Sequence, residues 1–214
     1  MKAKMNINHF LNPALLCILI LFTSCSQGQE QQKLSKNKDD NQNHILIVYL
    51  SRTNNTKAVA EMIHQKVGGE LVALELQKPY PADYQAHVDQ VVKENETGYL
   101  PPLKTEIKNI QDYDMVFIGF PTWAMQLPPP MKSFLHQYDL SGKTVIPFNT
   151  NAGFGVGSGF NTIKELCPKS EILEGISIEG GYEKKGVYLA IKGKRAKEVE
   201  VKVDKWLEKT GIFD

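Results

Sequence analysis

From residue 44 onward, runs of consecutive aliphatic residues alternate with stretches in which apolar residues recur every three or four positions. Residues 45–50 (ILIVYL) are an unbroken apolar run of strand length, and Val59, Ile63 and Val67 follow at helical spacing until Gly68-Gly69 closes the helix. Residues 70–76 predict a second strand. Tyr84, Val88, Val91 and Val92 predict a second helix after the breaks at Pro79 and Pro81, and residues 99–103, with Pro101-Pro102, read as loop. Further strands are predicted over 115–119, 144–148 and 172–178. Further helices are predicted on the face of Met131, Phe134, Leu135 and Tyr138, around 161–166, and through Ala196, Val199, Val203 and Trp206. Five strands alternate with five helices, and the strands are apolar throughout, which predicts an α/β fold with a parallel sheet covered on both faces. Such sheets place ligands beyond the carboxyl ends of their strands, so the chemistry is expected just after Leu50, Gly119 and Phe148.

The first 43 residues lack this pattern. Lys2 and Lys4 precede an apolar run over 14–22 (ALLCILILF) that is shorter than the ~20 residues of a spanning helix, and the small residues Thr23 and Ser24 stand before Cys25. Residues 1–24 therefore read as an export signal, with a short retained membrane anchor as the alternative. Residues 22–25 (FTSC) resemble the lipobox of bacterial lipoproteins, in which the signal is removed just before the Cys and the Cys sulfur carries a diacylglycerol. Phe22 stands where that family more often has Leu, which leaves plain signal cleavage open. The resemblance implies lipidation of Cys25 and anchoring in the bacterial cell envelope, on either the inner or the outer membrane, with ~0.8 kcal/mol for each buried methylene. Residues 26–43 hold a single large aliphatic residue, Leu34, among Gln, Asn, Lys, Asp and Ser, too little apolar surface to offset chain entropy. They read as a disordered tether, and 44–214 as one domain.

Composition narrows the function classes. The chain has 214 residues, 25 Lys and Arg against 24 Asp and Glu, and 42% hydrophobic residues, an ordinary globular balance without the positive field that non-specific nucleic-acid binding uses. Nucleic acid is not an expected partner. Of the three cysteines, Cys17 lies in the signal and Cys25 in the lipobox, so Cys167 has no partner for a disulfide; it is either a buried core residue or a reactive thiol. His44, His64, His87 and His136 are scattered and no metal site is expected. Asp83, Asp89, Glu94 and Glu96 read as a solvated helix face. Lys192, Lys194, Arg195 and Lys197 form a basic cluster before the last helix, an exposed face or a docking surface for an acidic partner or anionic lipid. The hydrolase elbow Gly-x-Ser-x-Gly, the nucleotide P-loop and a Gly-x-Gly-x-x-Gly turn after the first strand are all missing from the sequence.

Three loops remain. After the first strand stand Ser51, Arg52, Thr53, Asn54, Asn55 and Thr56, five of the six with hydroxyl or amide side chains, leading into a helix whose free N–H groups and macrodipole favour an anion; helix capping alone would need only one such residue. Residues 119–130 (GFPTWAMQLPPP) set Trp123 at the ligand edge of the sheet, where a loop stiffened by Pro121 could present a flat face to an aromatic ring, or where Trp123 could simply pack on the following helix. Residues 149–159 (NTNAGFGVGSG) hold Gly153, Gly155, Gly157 and Gly159, letting the backbone approach a ligand closely, with Phe154 as a facing wall.

The domain resembles the flavodoxin family over essentially all of 44–214. Ser51-x-Thr53-Asn54-Asn55-Thr56 is similar to the family's phosphate loop, Ser/Thr-x-Thr-Gly-x-Thr, with Asn54 in place of its Gly; Asn tolerates left-handed backbone better than most residues. Pro121-Thr122-Trp123 lies where the first flavin-flanking loop lies, and residues 150–155 match the second. The resemblance implies a five-stranded doubly wound sheet of order 2-1-3-4-5 and non-covalent FMN. It implies phosphate on Ser51, Thr53, Asn54, Asn55 and Thr56, the flavin ring at Trp123 and Phe154, and hydrogen bonds from Thr122, Thr150, Asn151 and Gly153. Flavodoxins often carry Gly after the flavin-flanking aromatic, where a peptide flip accompanies one-electron reduction. Here that position is Ala124, which is expected to make the flip costlier, and 124–130 carries no charge although the family is commonly acidic near the flavin. Both departures point toward two-electron chemistry, passing electrons to an apolar acceptor such as a quinone or to a redox partner protein. The flavin would perform the chemistry, with no catalytic side chain, in an oxidoreductase or an electron carrier. The competing expectation is a non-catalytic binding module or assembly lipoprotein on the same scaffold.

Overall fold

The structure, a computed structural model, describes residues 44–212. The expected signal, the lipidated Cys25 and the tether lie outside these residues. Strand β1 (Ile45–Tyr49) leads to helix α1 (Asn55–Val67), β2 (Glu70–Ala73), α2 (Tyr84–Thr97), β3 (Met115–Pro121), α3 (Pro129–Gln137), β4 (Thr144–Asn151), α4 (Gly159–Leu166), β5 (Glu171–Ile172), β6 (Ile176–Glu179) and α5 (Gly193–Lys209). All neighbours pair in parallel in the order β2-β1-β3-β4-β5, with β6 also on β4. This is the expected flavodoxin-like order, and its switch point lies between β1 and β3.

Both faces of the sheet are covered because successive residues of each central strand bury on opposite sides. Leu46, Val48, Val116, Ile118 and Val145 pack with Met131, Phe134 and Leu135 of α3 and Ile163 of α4. Ile45, Ile47, Phe117, Ile146 and Phe148 pack with Val59 and Ile63 of α1 and Val199, Val203 and Trp206 of α5. Cys167 is buried in the first of these layers and is unpaired, which settles it as a core residue. Burial pushes its thiol pKa up to about 11, with Asp139 adding to the rise.

Three expectations need correction. The strand expected over 172–178 is two strands. Val145 pairs with Ile172 and Phe148 with Ile176, so Ile146 and Pro147 face three residues, Leu173, Glu174 and Gly175. Pro147 has no N–H to give the ladder, and the chain bulges opposite it. The strands are not apolar throughout either: β2 is an edge strand whose Glu70 and Ala73 are exposed. Finally, β4 runs three residues past the expected Phe148, so Asn149, Thr150 and Asn151 belong to the sheet and the third loop begins at Ala152.

Candidate functional site

A cavity of about 430 Å³ opens at the carboxyl ends of β1, β3 and β4. Three expected loops meet there: Thr53 and Asn55 from the first, Pro121, Thr122, Trp123 and Ala124 from the second, Thr150, Asn151 and Phe154 from the third. Ser51, Asn54, Thr56 and Gly153 do not line the cavity: Thr56 is buried, and Asn54 and Gly153 are exposed outside it.

The first loop is shaped by Asn54, which takes left-handed backbone at φ 64° immediately before α1. Its short amide side chain tolerates that conformation where most other residues would resist it. The backbone N–H groups of Thr53, Asn54, Asn55 and Thr56 donate no hydrogen bond among the described residues. Four consecutive unpaired donors at the positive end of α1, with the Thr53 hydroxyl beside them, suit a phosphate group. Ser51 Oγ accepts the Lys57 N–H at 3.2 Å and so holds the start of the helix.

The amide and hydroxyl side chains behind those N–H groups are committed to the protein. Asn55 Nδ2 donates to Thr53 Oγ1 at 2.9 Å and to the Tyr188 carbonyl at 2.6 Å, while its Oδ1 accepts from the N–H groups of Ala190 and Ile191. Thr56 Oγ1 and Thr150 Oγ1 meet at 2.7 Å in a buried pair. In this loop, backbone donors and the Thr53 hydroxyl face outward, and side chains brace the loop against 188–191 and β4.

The second loop contains a tight turn. Trp123 and Gln126 exchange backbone hydrogen bonds at 3.4 and 2.9 Å, and the two residues between them, Ala124 and Met125, have φ of 48° and 59°. This is the primed hairpin turn that Asn-Gly usually fills. Ala124 thus takes, in this turn, the left-handed backbone whose cost without Gly underlies the expectation of a costlier flip. The turn is held from the third loop, where Ser158 N–H donates to the Met125 carbonyl at 3.0 Å and Gly157, at φ 61°, passes so close that a Cβ there would lie 2.0 Å from that oxygen.

Trp123 is packed edge-on against two rings, His87 at 4.4 Å and Tyr80 at 5.3 Å between centroids, with interplanar angles of 87° and 81°. Phe154 is 65% exposed and meets the edge of Tyr182 at 5.7 Å. The third loop is held by Asn151, whose Oδ1 accepts the N–H groups of Gly153 and Gly155, and by Thr122, whose hydroxyl donates to the Gly155 carbonyl at 2.8 Å.

Several lining residues have no signal in the three loop motifs. Arg52 stands within the first motif but is used structurally. Its guanidinium donates to both carboxylate oxygens of Glu183 at 2.7 and 2.8 Å and to the carbonyls of Pro81 and Ala82. It thereby ties the first loop, the approach to α2 and the turn over Glu183–Lys185 around one rim. Gly180, Gly181 and Tyr182 line the cavity from the chain after β6, and Tyr84, His87, Val88 and Val91 from α2. Only the helical periodicity of α2 could have pointed to the last group, since Val88 and Val91 are expected on its buried face.

Of the acidic residues expected on a solvated face, Asp83, Asp89 and Glu96 are exposed and Glu94 is not. Asp83 caps the helix by accepting the Ala86 N–H at 2.8 Å, and Glu94 is buried, accepting from Gln90 Nε2 at 2.8 Å and from the Tyr80 hydroxyl. Burial, reinforced by Glu94, holds the Tyr80 phenol well above its ordinary pKa. Beyond Glu94, His87 is 4% exposed and neither ring nitrogen finds a hydrogen-bond partner. Its pKa is lowered to about 4, first by burial and then by the Arg52 charge, against an opposing effect of Glu183. Among the described residues no group of three or more His, Cys, Asp or Glu side chains could hold a metal ion.

Residues 44–191 match the family Flavodoxin. No curated protein matches the sequence. Among solved structures, a candidate flavoprotein from Bacteroides eggerthii is 28% identical, covers 78% of this chain and 97% of its own, and superposes with a TM-score of 0.63. One from Bacteroides uniformis is 25% identical over 66% of this chain and 93% of its own, with a TM-score of 0.59. A flavoprotein from Lactobacillus acidophilus in complex with FMN shares the fold at 23% identity and a TM-score of 0.58, over 64% of this chain and 93% of its own.

Proposed function

The chain belongs to the flavodoxin family, and on that premise we propose that it is an FMN-dependent oxidoreductase or electron carrier tethered to the cell envelope. One observation carries the reading: the unpaired amides of residues 53–56 and the aromatic-walled cavity adjoin at the β1/β3 switch point. The donor set fits the two ends of FMN. The amides and Thr53 would hold the phosphate, Trp123 and Phe154 would flank the ring, and the N–H groups of Ala152 and Phe154, which donate no hydrogen bond among the described residues, would serve its polar edge, while Thr122 and Asn151 hold the third loop in place. FMN bound there supplies reversible transfer of one or two electrons. The chain's own residues bind and orient it, and they shape the approach of its partner.

The acceptor we favour is apolar, of quinone type, because Trp123, Met125, Val88 and Val91 line the open cavity and 124–130 is uncharged. A costly flip at Ala124 does not count toward two-electron chemistry, since the left-handed backbone is already present there. A redox partner protein over the same opening is the other source or sink of electrons. The envelope anchor rests on residues 1–25, and Cys25→Ala should abolish incorporation of labelled palmitate; labelling that persists would remove the lipid from this account.

The cofactor is tested by the visible spectrum of the full chain, purified with and without added FMN. Flavin bands that survive desalting, are released by acid as FMN and are bleached by dithionite are expected. A colourless protein under both conditions would leave a binding scaffold without redox turnover. Thr53→Ala should weaken FMN binding by about 1–3 kcal/mol, because a phosphate oxygen loses its hydroxyl donor.

A further inference from the structure

Residues 184–197 hold six Lys and Arg and no Asp or Glu. Lys184, Lys185, Lys192, Lys194 and Lys197 are exposed, and none of them makes an ion pair among the described residues. The stretch lies at the carboxyl edge of the sheet, where the cavity opens, because Arg195 donates to the carbonyl of Glu179, the last residue of β6, at 3.2 Å. Val187 and Tyr188 stand within it, 47% and 58% exposed. They continue the rim of the cavity: Val187 N–H donates to the Tyr182 carbonyl at 3.1 Å, the Lys185 ammonium lies 5.2 Å from the Tyr182 ring centroid, and Tyr182 meets the exposed Phe154 edge-on at 5.7 Å. Of the carboxylates on and beside this stretch, Glu183 is taken by Arg52 and Glu198 by Arg195, which leaves Glu179, next to Gly153. The chain enters the domain at the opposite edge, where His44 stands beside the exposed Asp112 and Asp114.

We propose that this rim docks on an anionic phospholipid surface, with Phe154, Val187 and Tyr188 entering the interface and the lysines of 184–197 on the headgroups, so that the mouth of the cavity faces the bilayer. Exposed aromatic and aliphatic side chains among lysines, whose stems are themselves apolar, are the composition of an interfacial contact. Charge is segregated along the domain, acidic where the chain enters and basic around the mouth, so an anionic surface draws the mouth toward it and turns the entry edge away. Residues 26–43 permit that orientation: extended, they reach up to ~60 Å, more than the ~40 Å width of a domain of this size. The inference rests on the proposed envelope anchor only for bringing the domain to a membrane; the affinity of the rim for lipid is a property of the rim. An apolar acceptor dissolved in the bilayer would then meet the cavity without crossing water.

The test places the full chain on vesicles of phosphatidylcholine, alone or mixed equally with phosphatidylglycerol, and reads amide hydrogen exchange segment by segment. On the anionic vesicles, exchange over 152–158 and 182–189 should slow about threefold or more relative to the neutral ones, while exchange over 108–114 stays unchanged. High salt should reverse the slowing. Lys184→Gln with Lys185→Gln, and Val187→Ser with Tyr188→Ser, alter only exposed side chains, and each pair should remove most of the effect. If Cys25 carries no lipid, the anchor reading fails, and the rim is judged by flotation of the chain with the same vesicles, where the lysine pair should lower binding about tenfold. Lipid docking is overturned if exchange at the rim is the same on both vesicles, or if its slowing persists in the lysine variant. It is equally overturned if soluble polyglutamate slows exchange at the rim and vesicles do not, which would assign the surface to an acidic polypeptide.

Discussion

The hydroxyls of Thr56 and Thr150 meet at 2.7 Å, one at the start of α1 and the other near the end of β4. The contact spans 94 positions of sequence and is buried on both sides, so it fixes the start of α1 against the end of β4. Thr56→Val and Thr150→Val should each cost about 1–3 kcal/mol, because each strands a buried hydroxyl, and the double variant should cost less than the sum. Urea unfolding of the four proteins measures this coupling; strict additivity would mean that the two hydroxyls do not depend on each other.

The Arg52–Glu183 pair joins three rim segments through four hydrogen bonds, and both side chains are mostly shielded. Arg52→Met is expected to destabilise by about 1–3 kcal/mol, allowing for partial solvent screening, because it leaves a carboxylate and two carbonyls without donors. Glu183→Gln, which keeps one acceptor for the guanidinium, should cost less. Denaturant midpoints order the two variants.

Gly157 is required by both its φ of 61° and its approach to the Met125 carbonyl. Gly157→Ala should cost at least about 2 kcal/mol, since an added methyl must push the 123–126 turn aside from a left-handed backbone that itself disfavours side chains. Gly155, with open space around its Cβ position, provides the control: Gly155→Ala carries only the φ penalty. Thermal unfolding of the two variants separates clash from backbone strain.

His87 makes stability depend on acid. Its folded pKa of about 4 lies below the unfolded value near 6.5, so the unfolded chain binds more protons between these values and stability falls as pH drops through that window. Arg52 works in the same direction by opposing protonation of the native state, Glu183 works against it, and the Tyr80 phenol beside the ring stays neutral. The loss amounts to at most about 3 kcal/mol by pH 4, at ~1.4 kcal/mol for each tenfold difference in proton affinity between the folded and unfolded chain. His87→Phe should flatten the stability profile between pH 6.5 and 4 and leave it unchanged above pH 7.

Cys167 should be inert. Its thiol is buried against Leu140 and Ile163 in one sheet layer and its pKa is raised to about 11. At pH 8 the folded chain should react with a thiol reagent at Cys167 far more slowly than the urea-unfolded chain, and the rate should follow global unfolding. Rapid labelling of the native protein at this position would contradict the packing.

The order of elements was legible in the sequence because local signals coincide with global ones. The aliphatic runs at 45–50 and 115–119 read as buried strands in a chain that also carries helical periodicity between them, and the hydroxyl and amide residues clustered at 51–56 mark the ligand edge. The phosphate-loop pattern even anticipated left-handed backbone at Asn54, a preference that belongs to the residue itself. What the tertiary structure decided depends on partners far apart in the chain. Whether Asn55 faces a ligand or braces 188–191 turns on backbone 133 positions away, and Glu94 is buried because Tyr80 folds over it. Ala124 and Met125 accept positive φ because Ser158 and Gly157 hold their turn from another loop. The sequence showed His87 only as one of several scattered histidines, and the approach of Trp123 from the loop after β3 and of Tyr80 from the 79–83 segment made it a dry, unpartnered ring. Periodicity reports which side of an element is buried; it carries no record of what a distant loop will bring against it.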